Sequence, residues 1–303
     1  MFRKLIALGV STDSIFTVDI ADGRVERVYA DTGSNPDGVQ TADGVAYWTT
    51  MGTPSVRPGL TGEAALDYSA RDGGVHSIRF DGTDRRDLTA PGEVTTGKQL
   101  TLADGWLYWG DREGHRVTRA RPDGSDREDL VVNPSGVDNQ CVGVAVDTAR
   151  GDLYWTQKGP AKGGTGRILR APLERAAGQS AENRTDIEVL WEALPEPIDL
   201  EIVDGLLYWT DRGAPPNGNT LNRAPLPAPG QRGSAPEILA DGFDEAIGLA
   251  VDPDAGTAYV SDLAGHIYTV PLPQLPGQMA HVPGKRLLAD LGTYITGIAA
   301  IAG

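Results

Sequence analysis

A short aromatic string recurs along the chain and constrains its fold more than any other feature. Leu206-Leu207-Tyr208-Trp209-Thr210-Asp211 is one copy, Trp106-Leu107-Tyr108-Trp109-Gly110-Asp111 a second, and Leu153-Tyr154-Trp155-Thr156-Gln157 a third. Val45-Ala46-Tyr47-Trp48-Thr49-Thr50 is a fourth, and Ala258-Tyr259-Val260-Ser261-Asp262 a worn fifth. Aromatic and β-branched residues at this density suit a pleated, packed surface and read as strand. The tyrosines stand 46 to 61 residues apart, about 53 on average. That period fits propeller blades of four strands and is too long for helical solenoid repeats. Six such periods fill 303 residues. The expected fold is all-β: a six-bladed β-propeller with four antiparallel strands per blade, forming a single domain over residues 1–303 without a linker.

Each repeat divides into four strands, named A to D from the axis outward. Strand A resembles Gly248-Leu249-Ala250-Val251-Asp252, and strand B is the aromatic string. Strands C and D resemble Arg116-Val117-Thr118-Arg119-Ala120 and Arg127-Glu128-Asp129-Leu130-Val131. Asp43-Gly44, Asp104-Gly105 and Asp204-Gly205 join A to B, and Asp-Gly suits a two-residue hairpin because both positions tolerate positive φ. Residues 4–10, 14–20 and 24–29 read as strands B, C and D with no strand A before them, and residues 294–299 supply one. The expected ring is therefore closed by the C-terminal strand joining the N-terminal blade, which removes two exposed sheet edges. The A-to-B turns share one plain face with most C-to-D turns. The B-to-C and D-to-A loops share the other face, where a long insert runs between Thr50 and Val75. Long loops on a rigid scaffold commonly carry function. No large apolar patch is visible in this insert.

Formal net charge is −15, from 42 acidic and 27 basic residues. Such a surface repels phosphate backbones and anionic membranes, so neither nucleic acid nor membrane is expected as a partner. The single cysteine, Cys141, has no partner for an internal disulfide and reads as a buried strand residue. The apolar run near the N-terminus is too short to span a membrane and reads as strand, and the chain reads as cytoplasmic.

The Tyr-Trp-(Thr/Gly)-(Asp/Thr/Gln) strings resemble the YWTD repeats of the low-density lipoprotein receptor class, whose six-bladed propellers bind proteins. Tyr108-Trp109-Gly110-Asp111-Arg112-Glu113-Gly114 and Leu194-Pro195-Glu196-Pro197-Ile198-Asp199-Leu200-Glu201 are similar to strings in intracellular bacterial and fungal YWTD-repeat proteins. Nearly the whole chain is covered, and the resemblance implies the fold. A dehydrogenase activity attached to some members finds no support here, because neither a Gly-x-Gly-x-x-Gly fingerprint nor a βαβ pattern occurs.

The repeat also provides an internal control for chemistry. Aligning strand A on the acid that ends each copy pairs Gly38/Gln40, Gln99/Thr101, Val142/Val144, Asp199/Glu201, Ile247/Leu249 and Thr296/Ile298. Residues two apart share one side of a strand, so polar groups belong to the second, third and fifth blades. Glu201 and Asp199, with Lys98 as partner, are the candidate acid–base residues. Asp37, Gln40 and Gln99 beside them are candidate ligand contacts, with Arg112, Lys158 and Arg212 at the mouth on the loop face. An ion-pair network in a water-filled channel is the structural reading of the same charges. Asp111, Asp211 and Asp262 read as turn braces. No His or Cys spacing suits zinc, no cofactor is implied, and a central calcium held by Asp199, Glu201 and loop acids is the one metal arrangement considered. The expected function is a cytoplasmic enzyme acting on a small polar molecule by non-redox hydrolysis, elimination or isomerisation at the channel mouth. The alternatives are a protein-binding scaffold using the loop face and a small-molecule binder without turnover.

Overall fold

Six four-stranded antiparallel sheets make up the computed structural model, which describes residues 1–273 and 284–301. The second blade runs Pro36–Ala42, Val45–Thr50, Gly74–Arg79 and Arg86–Asp87 from the axis outward. The third runs Gly97–Ala103, Trp106–Asp111, Arg116–Ala120 and Glu128–Val132, and the fourth Cys141–Asp147, Asp152–Gln157, Gly166–Pro172 and Glu188–Leu194. Pro197–Val203, Leu206–Asp211, Thr220–Pro225 and Glu237–Ala240 form the fifth, and Ala246–Asp252, Thr257–Asp262, His266–Pro271 and Arg286–Asp290 the sixth. In the first blade Ile295–Ile301 lies inside Lys4–Gly9, Ser14–Asp19 and Val25–Ala30, with Lys4 opposite Ile301. The ring is closed as the repeat arithmetic predicts.

Each letter of the repeat has a physical task. Trp48, Trp109, Trp155 and Trp209 are fully buried between sheets. Each removes on the order of 200 Å² from water, worth roughly 5 kcal/mol before the entropy of ordering is subtracted. The hydroxyl after the tryptophan clips one blade to the next. Thr156 Oγ1 accepts from Gly143 N at 2.7 Å and donates to the Ile198 carbonyl of the fifth blade at 2.8 Å. Thr49, Thr210 and Ser261 repeat the clip onto Lys98, Ile247 and Thr296. The acid then caps the entering loop: Asp111 accepts from Thr95 N and Thr96 N, and Asp211 from Glu196 N and Gly213 N. Asp262 does the same for Asp244 N and His266 N. These three aspartates are braces, as their place at the end of the aromatic string suggests. The Asp-Gly hairpins also form as expected, Asp43, Asp104 and Asp204 each taking φ of 50°.

The strand A alignment needs a correction. Pairing aligns Asp37 with Lys98, Val142, Ile198, Ile247 and Thr296. The next position holds Gly38, Gln99, Gly143, Asp199, Gly248 and Gly297, and two residues on stand Gln40, Thr101, Ala145, Glu201, Ala250 and Ala299. Val142/Val144, Ile247/Leu249 and Thr296/Ile298 are thus one residue out of step with Asp199/Glu201. The slip has a simple cause. Asp43, Asp104 and Asp204 are the first residues of two-residue turns, whereas Asp147 and Asp252 are the last residues of their strands, paired with Asp152 and Thr257 ahead of longer turns. The corrected position is glycine in four blades because inner strands nearly touch there. A Cβ on Gly143 would lie 2.0 Å from the Ile198 carbonyl oxygen, and one on Gly248 2.4 Å from that of Thr296. Gln99 and Asp199 are the two departures from this rule.

Candidate functional site

The two departures serve different ends. Asp199 accepts from Leu200 N at 2.9 Å and from Leu249 N of the sixth blade at 3.1 Å. Glu201, further along the channel, accepts from Val251 N at 2.8 Å. Both carboxyls lace the fifth inner strand to the sixth. Burial pushes each up to about 8, against the pull of these N–H donors, so both are largely protonated at neutral pH. They do not meet Lys98, and their oxygens are turned onto backbone rather than gathered for a calcium ion. No group of three or more His, Cys, Asp or Glu suited to a metal occurs among the described residues.

Lys98 instead pairs with Asp37 of the neighbouring blade, at the loop-face end of the inner strands. Asp37 is fully buried and Lys98 nearly so. Gln99 Nε2 donates to the other Asp37 oxygen at 3.2 Å, and Met51 Sδ lies 3.3 Å from Lys98 Nζ. Burial depresses the Lys98 ammonium. Asp37 opposes that, and the guanidiniums of Arg112 and Arg212 add to it. Gln40 shares the corrected position of Glu201, nearer the plain face.

Above this pair, the residue that follows each strand B forms a ring at the mouth. It is Met51, Arg112, Lys158, Arg212 and Leu263 in the second to sixth blades. Three adjacent blades therefore carry cations at a position that is apolar in their neighbours. Arg112 Nε donates to Glu113 at 2.8 Å, and its guanidinium stacks over the Tyr68 ring at 5.1 Å. Lys158 Nζ and Arg212 Nε share Glu196 Oε1, at 3.1 and 2.8 Å, and Glu196 is buried. Glu245 reaches Arg212 at 3.5 Å and Lys162 at 3.2 Å.

The long insert lands on this cluster. Ser55–Val56 pairs with Leu66–Asp67, and the 3-10 turn Gly62–Ala65 between them carries Glu63. Glu63 Oε1 lies 3.1 Å from Lys158 and 3.5 Å from Arg112, and Oε2 binds Arg212. Burial alone would raise this carboxyl, but Arg212, Lys158 and Arg112 together hold it well below the usual range. Of the candidates, Asp37, Lys98 and Gln99 meet in one group, and Arg112, Lys158 and Arg212 in a second beside it. Asp199, Glu201 and Gln40 stand apart. Glu63 and Tyr68 belong to the site and escape a reading from repeats, because an insert has no counterpart to align. Glu196 also belongs to it, in the loop just before a strand A and outside the strand positions compared. The insert also exposes Val56 and Leu66, which face each other across its short strand pair, and Leu60.

A second constellation has the partners of a hydrolase triad. His76 Nε2 lies 2.9 Å from Thr50 Oγ1, and Nδ1 lies 2.7 Å from Asp87. Thr50 is only 3% exposed, however, and holds the position of the braces Asp111 and Asp211. This is a structural link from strand B to strand D of the second blade.

A closed six-bladed ring whose inner strands are clipped by the hydroxyls of Tyr-Trp-Thr strings is a YWTD-repeat propeller. The chain is 43% identical over 271 residues to a protein named low-density lipoprotein receptor-related protein 1 from Pyricularia oryzae, covering 82% of each, and it belongs to that family. It is 38% identical over 253 residues to 3-hydroxyacyl-CoA dehydrogenase-like protein LAM1 of Cochliobolus heterostrophus, covering 77% of this chain but 50% of that one. No family model matches. Among solved structures, a chain of the nidogen/laminin complex shares the fold at a TM-score of 0.65 and 16% identity, covering 98% of both.

Proposed function

We propose that the loop-face mouth of the channel is a small-polar-molecule site, with the Lys98–Asp37 pair as the group fitted for non-redox acid–base chemistry. The observation that supports this reading is the concentration of buried charge on one side of the mouth. Lys98, Arg112, Lys158 and Arg212 come from three adjacent blades, while Met51 and Leu263 hold the equivalent places elsewhere. A fold has no need of such a cluster, since buried ion pairs are often no more stabilising than apolar residues of similar volume. A lysine depressed by burial and held by one carboxylate is suited to exchange a proton with a bound molecule. Glu201, the acid first expected to partner Lys98, is occupied with the sixth blade and is left out of this role.

The test is a panel of sugars, amino acids and carboxylates screened by melting against the chain and its Lys98→Met/Asp37→Asn double variant. The double variant removes both charges together and is expected to fold. Compounds that use the site raise the melting temperature of the chain and not that of the variant. Equal shifts in both proteins, or none in either, would refute the reading. Turnover is then read on any compound that passes.

A protein-docking reading is favoured by a separate observation, the exposed Val56, Leu60 and Leu66 on the insert. It predicts a surface insensitive to Lys98 and sensitive to Leu60→Asp.

A further inference from the structure

We propose that the small molecule carries a carboxylate, and that Glu63 occupies its seat in the closed state. The inference rests on the mouth being the ligand site and adds the chemical class. Arg112, Lys158 and Arg212 converge on the two oxygens of the one Glu63 carboxylate. Cations converging on two oxygens, with guanidiniums among them, are an arrangement for recognising a carboxylate group. Glu63 reaches all three cations, whereas Glu113 pairs with Arg112, Glu196 with Lys158 and Arg212, and Glu245 with Arg212 and Lys162.

Glu63 is attached differently from the residues that it meets. Arg112, Lys158 and Arg212 are set at the ends of clipped inner-blade strands; Arg112 and Lys158 are buried and Arg212 nearly so. Glu63 sits on the tip of an insert and keeps a third of its side chain exposed. The base of the insert is anchored, Tyr68 by its carbonyl to Thr96 Oγ1 at 3.0 Å and Arg71 to the Gly92 carbonyl. Two glycines, Gly59 and Gly62, lead into Glu63 at the tip, with φ of 81° and 63° and open space around each. A short tether presents its carboxylate at an effective concentration on the order of millimolar. A free carboxylate with further contacts below, to Lys98 or Gln99, therefore displaces it. The tip lifts as the ligand enters, and the seat is never left without an anion.

The experiment uses the full chain, Glu63→Ala and Glu63→Gln, with sodium succinate, sodium acetate and sodium chloride at matched ionic strength, read by calorimetry and by melting. Glu63→Gln keeps the shape of the tip in case Glu63→Ala does not fold. Succinate is expected to bind the Glu63 variants at least tenfold more tightly than the unsubstituted chain, and to raise their melting temperature where chloride does not. Adding Lys158→Met is expected to abolish the gain. Equal affinity with and without Glu63, or a gain that survives Lys158→Met, overturns the proposal. A glutamate-containing pentapeptide is the comparison arm. If it binds while succinate does not, the seat belongs to a protein partner and the proposal fails. Neutral compounds that protect the chain through Lys98 while carboxylates do not would remove the carboxylate and leave the mouth site standing.

Discussion

Asp37 is the counter-ion on which a buried ammonium depends. Asp37→Asn leaves Lys98 beside Met51 and two guanidiniums, and a buried charge stripped of its partner costs about 3–5 kcal/mol. That loss is expected in denaturant unfolding, with much of it recovered when Lys98→Met is added. A single variant as stable as the parent would show that the pair is solvated. Glu201 behaves in the opposite sense. An unfolded glutamate releases its proton near pH 4 and the folded one near 8. The folded state therefore binds more protons in between, and stability declines as pH rises through that window. Glu201→Gln is expected to match the parent below about pH 4 and to gain on it as pH rises, being the more stable of the two at pH 8. His76 runs against this trend at the acid end. Burial lowers it to about 4, outweighing Asp87, so stability is lost as pH falls from about 6.5 to about 4. Each effect is therefore read as a difference between parent and variant at one pH. Lys98 and Asp37 were legible as charges in an inner strand. Their pairing was not, because neighbouring blades meet through space and nothing local in the chain records it.

At the scale of the element, the repeat explains itself once the blades are stacked. The hydroxyl in Tyr-Trp-Thr ties a bulged inner strand to the next blade with two hydrogen bonds in a dry interface. Thr156→Val keeps the shape and removes both, leaving Gly143 N–H and the Ile198 carbonyl without that partner. The expected cost is about 1–3 kcal/mol. Gly143→Ala is expected to cost more, since its Cβ would collide with backbone that has nowhere to go. Equilibrium unfolding of both variants ranks them, and a tolerated Gly143→Ala would contradict the close approach of the inner strands. Strand order and hairpin turns were readable because they rest on local patterns, aromatic runs and Asp-Gly pairs. The one-residue slip in strand A arose where local pattern misleads, an acid that ends a strand in one blade and opens a turn in another. The insert was legible in length and composition. Its landing place was not, because Glu63 is joined to Arg212 by an ion pair across 149 positions of sequence.

At the scale of the whole molecule, closure decides whether the site exists at all. The mouth is a ring property: its cations come from the third, fourth and fifth blades and its covering carboxylate from the second. Any splay between blades separates them. Ile295–Ile301 holds the ring shut twice over, by pairing along Lys4–Gly9 and by packing against Asp37 and Gly38 of the second blade. Thr296 Oγ1 also donates to the Pro36 carbonyl at 2.8 Å, and Ser261 Oγ donates to the Thr296 carbonyl at 2.9 Å. One strand thus bridges the sixth, first and second blades. Deleting residues 294–303 is expected to expose the inner edge of the first blade and to uncover Leu5, Ala7, Ile6 and Leu8, which are buried in the closed ring. Unpaired edges with apolar faces template association. The truncated chain is expected to lose several kcal/mol and to aggregate at concentrations where the parent does not. A synthetic peptide of residues 294–303, added during refolding, is then expected to restore solubility in proportion to its concentration, because it binds the folded ring and not the open chain. If the truncated chain melts and sediments like the parent, the closing strand does not hold the ring, and the geometry of the mouth must be maintained by the inter-blade clips alone.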